Sequence, residues 1–302
     1  MTPRERVRAA LRHRPPDRVP WGELVVPPAL AAARAGRAPR DGLERLVMQR
    51  ELQEELGIDL AVVDAGGCLQ QGVKAAAMRE VRFWAGESDR FVVALLPGGL
   101  SWARDLLGWQ ELFRQLARQQ AQLEELFQQA HLALARAAGP LCAAGVEMVM
   151  VADDIAHRQG PLADPHYLRR AYFPSLAGAV AGVASHGGTA AFHSEGDLTL
   201  LVEDIVAAGF SALHSIEAAS GMSLAALRRQ YHGRLCLMGN LDLHVLLTAD
   251  GAELELAVRQ VLAEGNGQGG FIFGTSGGLT AEVELERLRL VARCLAESGS
   301  RG

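Results

Sequence analysis

The segment AAFHSEGDLT, residues 190–199, places three ionisable side chains within five residues. His193 and Glu195 are two residues apart, and side chains at that spacing on an extended strand lie on one face. A neutral imidazole and a carboxylate are common zinc ligands, so this pair is a candidate for a metal site or for proton transfer. Asp197 follows directly, and its position predicts that it caps a helix beginning at Leu198.

Two ligands do not complete a zinc site, so a third ligand would have to come from another strand. The candidates by residue type are Cys236, Asp154 and Asp242. Cys236 lies within an apolar run, which favours a buried and inert thiol.

Adjacent carboxylates occur in VADDIAHRQG, where Asp153 and Asp154 follow another apolar run. Neighbouring carboxylates repel each other, which raises one pKa and suits acid–base catalysis or the binding of a cation. Successive side chains point in different directions, so we expect only one of the two to face the centre of a site. The other would bond Arg158 or a backbone amide.

Polar residues also follow several other apolar runs. We interpret seven of them as candidate substrate-binding residues: Asp64, His214, Glu217, Asn240, Asp242, Thr275 and Ser276. The last two belong to GTSGG, which is either a tight turn or a loop that binds phosphate through its N–H groups. The glycine-rich stretch ahead of it precedes an apolar run instead of following one, which excludes a dinucleotide-binding fingerprint.

The elements that would position these residues alternate between short apolar runs and helix-period segments. Eight runs are predicted as strands: 21–26, 59–65, 91–97, 146–152, 188–193, 211–216, 234–239 and 270–275. Most are continuously apolar, as expected of parallel strands covered on both faces. Helices are predicted over 110–138, 164–187, 223–231, 252–265 and 282–297, with Asp164 as a cap and a kink at Pro174.

This alternation predicts an α/β fold, a single (β/α)8 TIM barrel over 1–302 with an N-terminal helical arm over 1–20. A doubly wound open sheet is the alternative. In a barrel, polar residues that follow the strands converge on one mouth, where active sites lie.

Composition restricts the partners. The 302 residues carry a formal net charge of −5, so we expect no nucleic-acid partner. The longest apolar runs are of strand length, and the N-terminus lacks a signal-peptide core, so we expect no membrane partner. The four cysteines form no CxxC pair, which excludes a zinc knuckle and favours a cytoplasmic protein with reduced thiols.

Several of these segments, in order, resemble the uroporphyrinogen decarboxylase superfamily, which includes corrinoid-dependent methyltransferases. The similar segments are MTPRERVRAALRHRPPDRVP, VADDIAHRQGPLADPHYLRRAYFP, FHSEGDLTLLVEDIVAAGFSALHSIE and GMSLAALRRQYHGRLCLMGNLD. The resemblance runs nearly end to end. It implies a (β/α)8 barrel, and a homodimer is compatible with it.

Two departures from the family pattern bear on the reaction. The decarboxylases grip the carboxylates of their tetrapyrrole with an arginine-rich loop, whereas this chain has Arg18 alone there, with Glu23 nearby, and GTSGG lacks the family's late histidine. The methyltransferases typically bind zinc through His-x-Cys and a later cysteine. Here those positions hold His193, Glu195 and a residue near Ser276.

The resemblance therefore implies methyl transfer between a corrinoid, carried by a corrinoid protein, and a folate or thiol acceptor. With a thiol acceptor, zinc would be bound by His193 and Glu195. With a folate acceptor, the methyl group would go to tetrahydrofolate. In the folate version Asp154 and Asn240 would bind the pterin, and a nearby acid would protonate its nitrogen. Tetrapyrrole decarboxylation and a non-catalytic ligand-binding barrel are the alternatives.

Overall fold

The computed structural model describes residues 1–67, 72–265 and 267–299. Within them seven parallel strands form one sheet in the order β1-β2-β3-β6-β7-β8-β9, and β4 and β5 form a short antiparallel hairpin after β3. The strands are β1 (Leu60–Asp64), β2 (Phe91–Pro97), β3 (Met148–Ala152), β4 (Ala156–His157), β5 (Gly160–Pro161), β6 (Thr189–His193), β7 (Ala212–His214), β8 (Cys236–Leu241) and β9 (Phe271–Thr275). The seven sheet strands confirm seven of the eight predicted ones.

The two edges of the sheet, β1 and β9, are bridged by residues 20–22. The Gly22 N–H donates to the Phe273 carbonyl at 2.8 Å, and the Asp59 N–H donates to the Trp21 carbonyl at 2.7 Å. The sheet therefore curls until both edges share this segment. The result is a curled parallel sheet that is compatible with a TIM-like barrel.

The predicted strand 21–26 is wrong over most of its length, because only an isolated bridge at Trp21 is present. Beyond that point the chain leaves the sheet, and the Val25 carbonyl accepts a hydrogen bond from the Leu279 N–H at 3.0 Å. Pro27 then precedes a helix that begins at Pro28. Pro27 and Pro28 lack the backbone N–H groups that a strand would need to continue past Val26.

Helices cover the outer face of the sheet. Those that follow the N-terminal arm are α2 (Pro28–Ala35), α3 (Gly42–Leu56), α4 (Ala75–Glu87), α5 (Gly99–Arg118), α6 (Ala121–Ala143), α7 (Pro165–Ala171), α8 (Phe173–Ser185), α9 (Val202–Ala207), α10 (Leu224–Tyr231), α11 (Leu243–Thr248), α12 (Gly251–Gly265) and α13 (Leu285–Ser298). Their apolar faces and the outward side chains of the strands form the main core. No helix within the described ranges is both long and apolar enough to span a bilayer.

Two predicted helices are each divided in two. The stretch 110–138 breaks at Gln119, whose φ of 49° is left-handed, so that α5 ends and α6 begins there. The stretch 164–187 breaks at Tyr172, because Pro174 lacks the N–H that a continuous helix would use. Asp164 caps α7 as predicted, accepting from the His166 N–H at 2.9 Å.

The N-terminal arm contains helix α1 (Pro3–Leu11), which begins with a capping box between Thr2 and Glu5. Its Val7 and Ala10 join the inward side chains of the sheet in a second apolar cluster. That cluster includes residues at the starts of the strands: Leu60, Phe91, Met148, Ala212 and Cys236. Helix α1 therefore covers the N-terminal end of the sheet, and the carboxyl ends remain for a site.

Candidate active site

A cleft of about 370 Å³ opens at the carboxyl ends of β1, β2, β3 and β6. Its polar lining side chains are Asp64, Ser101, Arg104, Asp105, Asp154 and His193. Because the strands are parallel, residues at their ends meet at one edge, which brings three of the predicted site residues to this cleft: Asp64, Asp154 and His193.

His193 and His214 form a buried pair behind the cleft. They are register partners at the ends of β6 and β7, and their Nδ1 atoms are 2.7 Å apart. The Nε2 of His214 lies 3.2 Å from the Thr275 carbonyl oxygen. Burial lowers the pKa of His193 to about 4 and that of His214 to about 3, so both imidazoles are neutral at pH 7.

The chain of contacts continues from Thr275 to Glu23. The Thr275 hydroxyl donates to Glu23 Oε2 at 2.6 Å, and the Trp21 indole N–H donates to Glu23 Oε1 at 2.7 Å. Glu23 is only 2% exposed, and burial raises its pKa to about 7. In the sequence, Glu23 stands out only as a departure from the family pattern. The signal for its burial is its position, because a carboxylate within the apolar run WGELVV indicates a buried acid with hydrogen-bond partners.

Carboxylates crowd the rim of the cleft. Asp154 Oδ1 accepts from the Glu195 N–H at 3.0 Å, and Glu217 Oε2 accepts from the Gly196 N–H at 3.0 Å. The pKa of Glu195 is raised, first by its withdrawal from water and then by repulsion from Asp154 and Glu217. A Cβ added at Gly277 would lie 3.3 Å from Glu195 Oε1, so the carboxylate reaches the GTSGG loop. The rim therefore favours a cationic or hydrogen-bond-donating ligand.

Asp153 points away from the cleft. It accepts from the N–H groups of Leu100 and Ser101 at the start of α5, at 2.9 and 2.6 Å, and from the Tyr172 hydroxyl at 2.6 Å. Gly98 leaves no room for a Cβ beside this carboxylate. Of the two adjacent aspartates, Asp154 faces the cleft, so the predicted catalytic role of Asp153 is replaced by a structural one.

Two further predicted residues, Asp242 and Asp197, have structural roles at the ends of elements. Asp242 caps α11, accepting from the His244 N–H at 2.8 Å. Asp197 accepts from the Thr199 N–H at 2.9 Å and closes a turn, and the next helix begins only at Val202. The predicted cap on a helix at Leu198 is therefore wrong.

The remaining candidates support the loops after β7 and β9. Asn240 is buried, and its side-chain amide donates to the Ile216 carbonyl at 2.8 Å. Ile216 has a φ of 57°, which is rare for a β-branched residue, so the bond from Asn240 stabilises an unfavourable turn. The Ser276 N–H donates to the Leu241 carbonyl at 3.0 Å, which extends the register of β8 and β9.

The described residues do not fit a zinc ion. No three of their His, Cys, Asp and Glu side chains converge in an arrangement that could hold a metal. Cys236 begins β8, at the end of the sheet opposite the cleft, and burial raises its pKa to about 12. Cys68 lies outside the described residues. Zinc therefore has no role in the mechanism that we derive.

A family model described as uroporphyrinogen decarboxylase (URO-D) matches residues 92–298. No curated protein matches the chain significantly.

Several solved structures are similar in fold. A methyltransferase from Methanosarcina mazei shares 18% sequence identity with a TM-score of 0.79, over 98% of this chain and 99% of that chain. A B12-independent methionine synthase from Shewanella sp. W3-18-1 shares 14% identity with a TM-score of 0.59, over 94% and 97% of the two chains. A 3-keto-D-glucoside 4-epimerase from E. coli shares 16% identity with a TM-score of 0.55, over 83% and 94%. At these identities the similarity extends to the fold alone.

Proposed function

The chain belongs to the uroporphyrinogen decarboxylase family, since the family model covers more than half of it, and within that family we propose that it is a methyltransferase. It would transfer a methyl group from a corrinoid to a reduced pterin such as tetrahydrofolate. One observation carries the proposal: a neutral imidazole, His193, lines the cleft beside carboxylates, and no thiol of the described residues lines it. A structure of the same fold is described as a methyltransferase, which agrees with this proposal.

The carboxylates suit the head group of a pterin. A pterin ring presents an amino group and an adjacent ring N–H, two parallel donors that match the two oxygens of a carboxylate. Asp154 is the first candidate, because it lines the cleft with His193, and within the described part of the chain only its Oδ1 is bonded, to the Glu195 N–H. Asp64 lies at the end of β1 in the same cleft and is the second.

The proposed reaction would need a base. The corrinoid would supply the methyl group and would keep the electron pair of the carbon–cobalt bond, while the pterin nitrogen N5 forms the new carbon–nitrogen bond. The proton that N5 carried must then be removed. His193 is neutral and at the cleft, so it accepts this proton.

The methyl donor would be presented from outside by a corrinoid protein. A cleft of about 370 Å³ lies near the lower end of the usual range for small-molecule sites, about 300–1,000 Å³. It can accommodate a pterin ring but not a corrinoid macrocycle as well. A corrinoid bound to a partner would have to approach the mouth with its methyl group facing inward.

Tetrapyrrole decarboxylation is less well supported, because its substrate is a polycarboxylate. Arg104, the arginine of the cleft, is paired with Asp105 at 2.8 Å, and Asp64 and Asp154 add negative charge. Lys74 approaches Gly67 at the side of the cleft, and one lysine does not balance these carboxylates. Such a site repels a polyanion.

The test is an anaerobic assay with methylcobalamin and tetrahydrofolate, in which 5-methyltetrahydrofolate is quantified by mass spectrometry. Homocysteine and uroporphyrinogen replace tetrahydrofolate in parallel reactions. The variant Asp154→Asn should weaken tetrahydrofolate binding by about 10- to 100-fold, since it removes a charged acceptor. Asp164→Asn, at the cap of α7 outside the cleft, is the matched control.

Formation of methyltetrahydrofolate by the wild type and the control, with weaker binding in Asp154→Asn, would support the proposal. Methylation of homocysteine alone, or decarboxylation of uroporphyrinogen, would contradict it. Tight tetrahydrofolate binding without turnover of any donor would favour a non-catalytic binding protein.

A further inference from the structure

We propose that His214 is a positioning residue that holds His193 as the Nδ1–H tautomer, so that Nε2 of His193 is the basic atom at the cleft. The catalytic consequence rests on the proposed function, whereas the tautomer itself follows from the hydrogen bonds. Neither residue needs to contact a ligand for the tautomer to be set.

The first step concerns His214. Its Nε2 lies 3.2 Å from the carbonyl oxygen of Thr275, and a carbonyl oxygen can only accept. Nε2 of His214 must therefore carry the proton. The ring is buried and no carboxylate of the described residues contacts it, so it stays neutral and its Nδ1 has a lone pair.

The second step transfers this constraint to His193. The two Nδ1 atoms are 2.7 Å apart, which requires one donor and one acceptor. Because Nδ1 of His214 is the acceptor, Nδ1 of His193 must be the donor. Nε2 of His193 then has the free lone pair, and it makes no hydrogen bond to any residue that the structure describes.

The third step concerns the far end of the chain of contacts. Thr275 is held by Glu23, which accepts from its hydroxyl at 2.6 Å and from its N–H at 3.2 Å. The Gly278 N–H also donates to the Thr275 hydroxyl, at 2.9 Å. The carbonyl that orients His214 is therefore itself fixed.

The arrangement suits a base that changes charge during the reaction. When Nε2 of His193 takes up a proton, its Nδ1–H remains bonded to His214, so no hydrogen bond has to be exchanged. His214 is an uncharged partner, unlike the aspartate that commonly orients a catalytic histidine. A free imidazole prefers the Nε2–H tautomer, which would present a donor to the cleft where a base is required.

The experiment compares one substitution that retains a hydrogen-bond acceptor with one that does not. His214→Asn keeps an acceptor near the Nδ1 position, whereas His214→Phe keeps an aromatic ring and removes the acceptor. The tautomer of His193 is read from the side-chain ¹⁵N shifts of histidine-labelled protein, with His193→Ala identifying the signals. Circular dichroism and thermal unfolding report whether each variant folds.

We expect the Nδ1–H tautomer in the wild type and in His214→Asn, and mainly the Nε2–H tautomer in His214→Phe. In methyl transfer, kcat should fall by about 10²- to 10⁴-fold in His214→Phe, which is the usual contribution of a general base. It should recover at least tenfold in His214→Asn, whereas KM for the pterin should change little.

An Nε2–H signal for wild-type His193 would overturn the proposal without any variant, so a His214→Phe protein that fails to fold does not prevent the test. An unchanged tautomer in a folded His214→Phe would overturn it equally. The tautomer is measured without substrate. If the expected tautomers are found in a protein that has no methyltransferase activity, the proposed function is contradicted and the inference about His214 stands.

Discussion

Raising the pH through neutrality should destabilise the folded protein through one side chain, Glu23. Its carboxyl group is buried against Trp21 and Thr275, and among the residues that the structure describes no positively charged side chain contacts it. Ionisation therefore places an uncompensated charge in the core. The substitution Glu23→Gln removes this ionisation and imitates the protonated acid, because the amide oxygen can accept from the indole and the amide group can donate to the Thr275 hydroxyl.

The magnitude follows from the two pKa values of Glu23. Burial raises the pKa from 4.5 to about 7, so between these values the folded state holds a proton that the unfolded state has lost. The stabilisation is complete below pH 4.5 and is lost as the pH rises through 7. The shift corresponds to about 3 kcal/mol in total, and the slope is at most about 1.4 kcal/mol per pH unit.

The assay is urea unfolding of the wild type and of Glu23→Gln between pH 4.5 and 8, with the free energy of unfolding extrapolated to water. The difference between the two proteins isolates Glu23 from other titrating groups. This matters because His193 and His214 have lowered pKa values in the folded state, and their contribution falls with falling pH, in the opposite direction. Glu203→Gln, at an exposed ion pair with Arg234, is the control and should not reproduce the effect.

We expect the wild type to lose stability relative to Glu23→Gln steadily from pH 5 to pH 7 and to level off above that. A difference that is constant with pH would refute the reasoning, because it would mean that Glu23 ionises equally in both states. A difference that grows in favour of the wild type would mean that the buried carboxylate is stabilised by its donors more than burial disfavours it.

Three further predictions concern the site and its supports. His193→Ala should lower kcat for methyl transfer by at least about 100-fold and leave the tetrahydrofolate Kd within about threefold. Single-turnover kinetics and ligand titration measure the two constants, and an unchanged kcat would mean that His193 takes no part in the chemistry. Asp153→Asn should lower the free energy of unfolding by about 1–3 kcal/mol, because the new amide NH₂ group would face a backbone N–H at the start of α5, and two donors cannot bond. An unaltered urea midpoint would show that this hydrogen bond is dispensable. Gly108→Ala should lower the free energy of unfolding by about 1–3 kcal/mol, because φ 74° and ψ 163° suit only glycine. Gly178→Ala lies within α8, where an added Cβ meets no other atom, and should raise the free energy of unfolding by about 0.5–1 kcal/mol. Equal melting temperatures for the two glycine variants would contradict the assignment of strain at position 108.

The sheet was predictable because its strands are continuous apolar runs separated by helical segments. Seven runs became parallel strands, and three of the polar residues at their ends, Asp64, Asp154 and His193, meet at one cleft. The run 21–26 misled because its apolar composition resembles a strand, while Pro27 and Pro28 direct the chain into a helix. Composition alone does not reveal how far a strand remains paired.

The site was predictable in its residue types but not in its contacts. His193 and His214 were both candidates, yet their pairing depends on the register of β6 against β7, which no local pattern encodes. Which of Asp153 and Asp154 faces the cleft depends on where the start of α5 lies relative to β3. Caps such as Asp242 resemble ligands in sequence because the same short acidic side chain serves both purposes.

The helix at the N-terminal end of the sheet has a consequence for the order of events. Because Val7 and Ala10 of α1 close that end, the cleft is reached from the carboxyl ends of the strands. A pterin seated at His193 would be covered once a donor protein docks over the mouth. The donor can then act only on an acceptor that is already bound, and the methylated product can leave only after the donor has dissociated. Turnover would then be ordered, with the acceptor binding before the donor protein and the methylated product leaving after it.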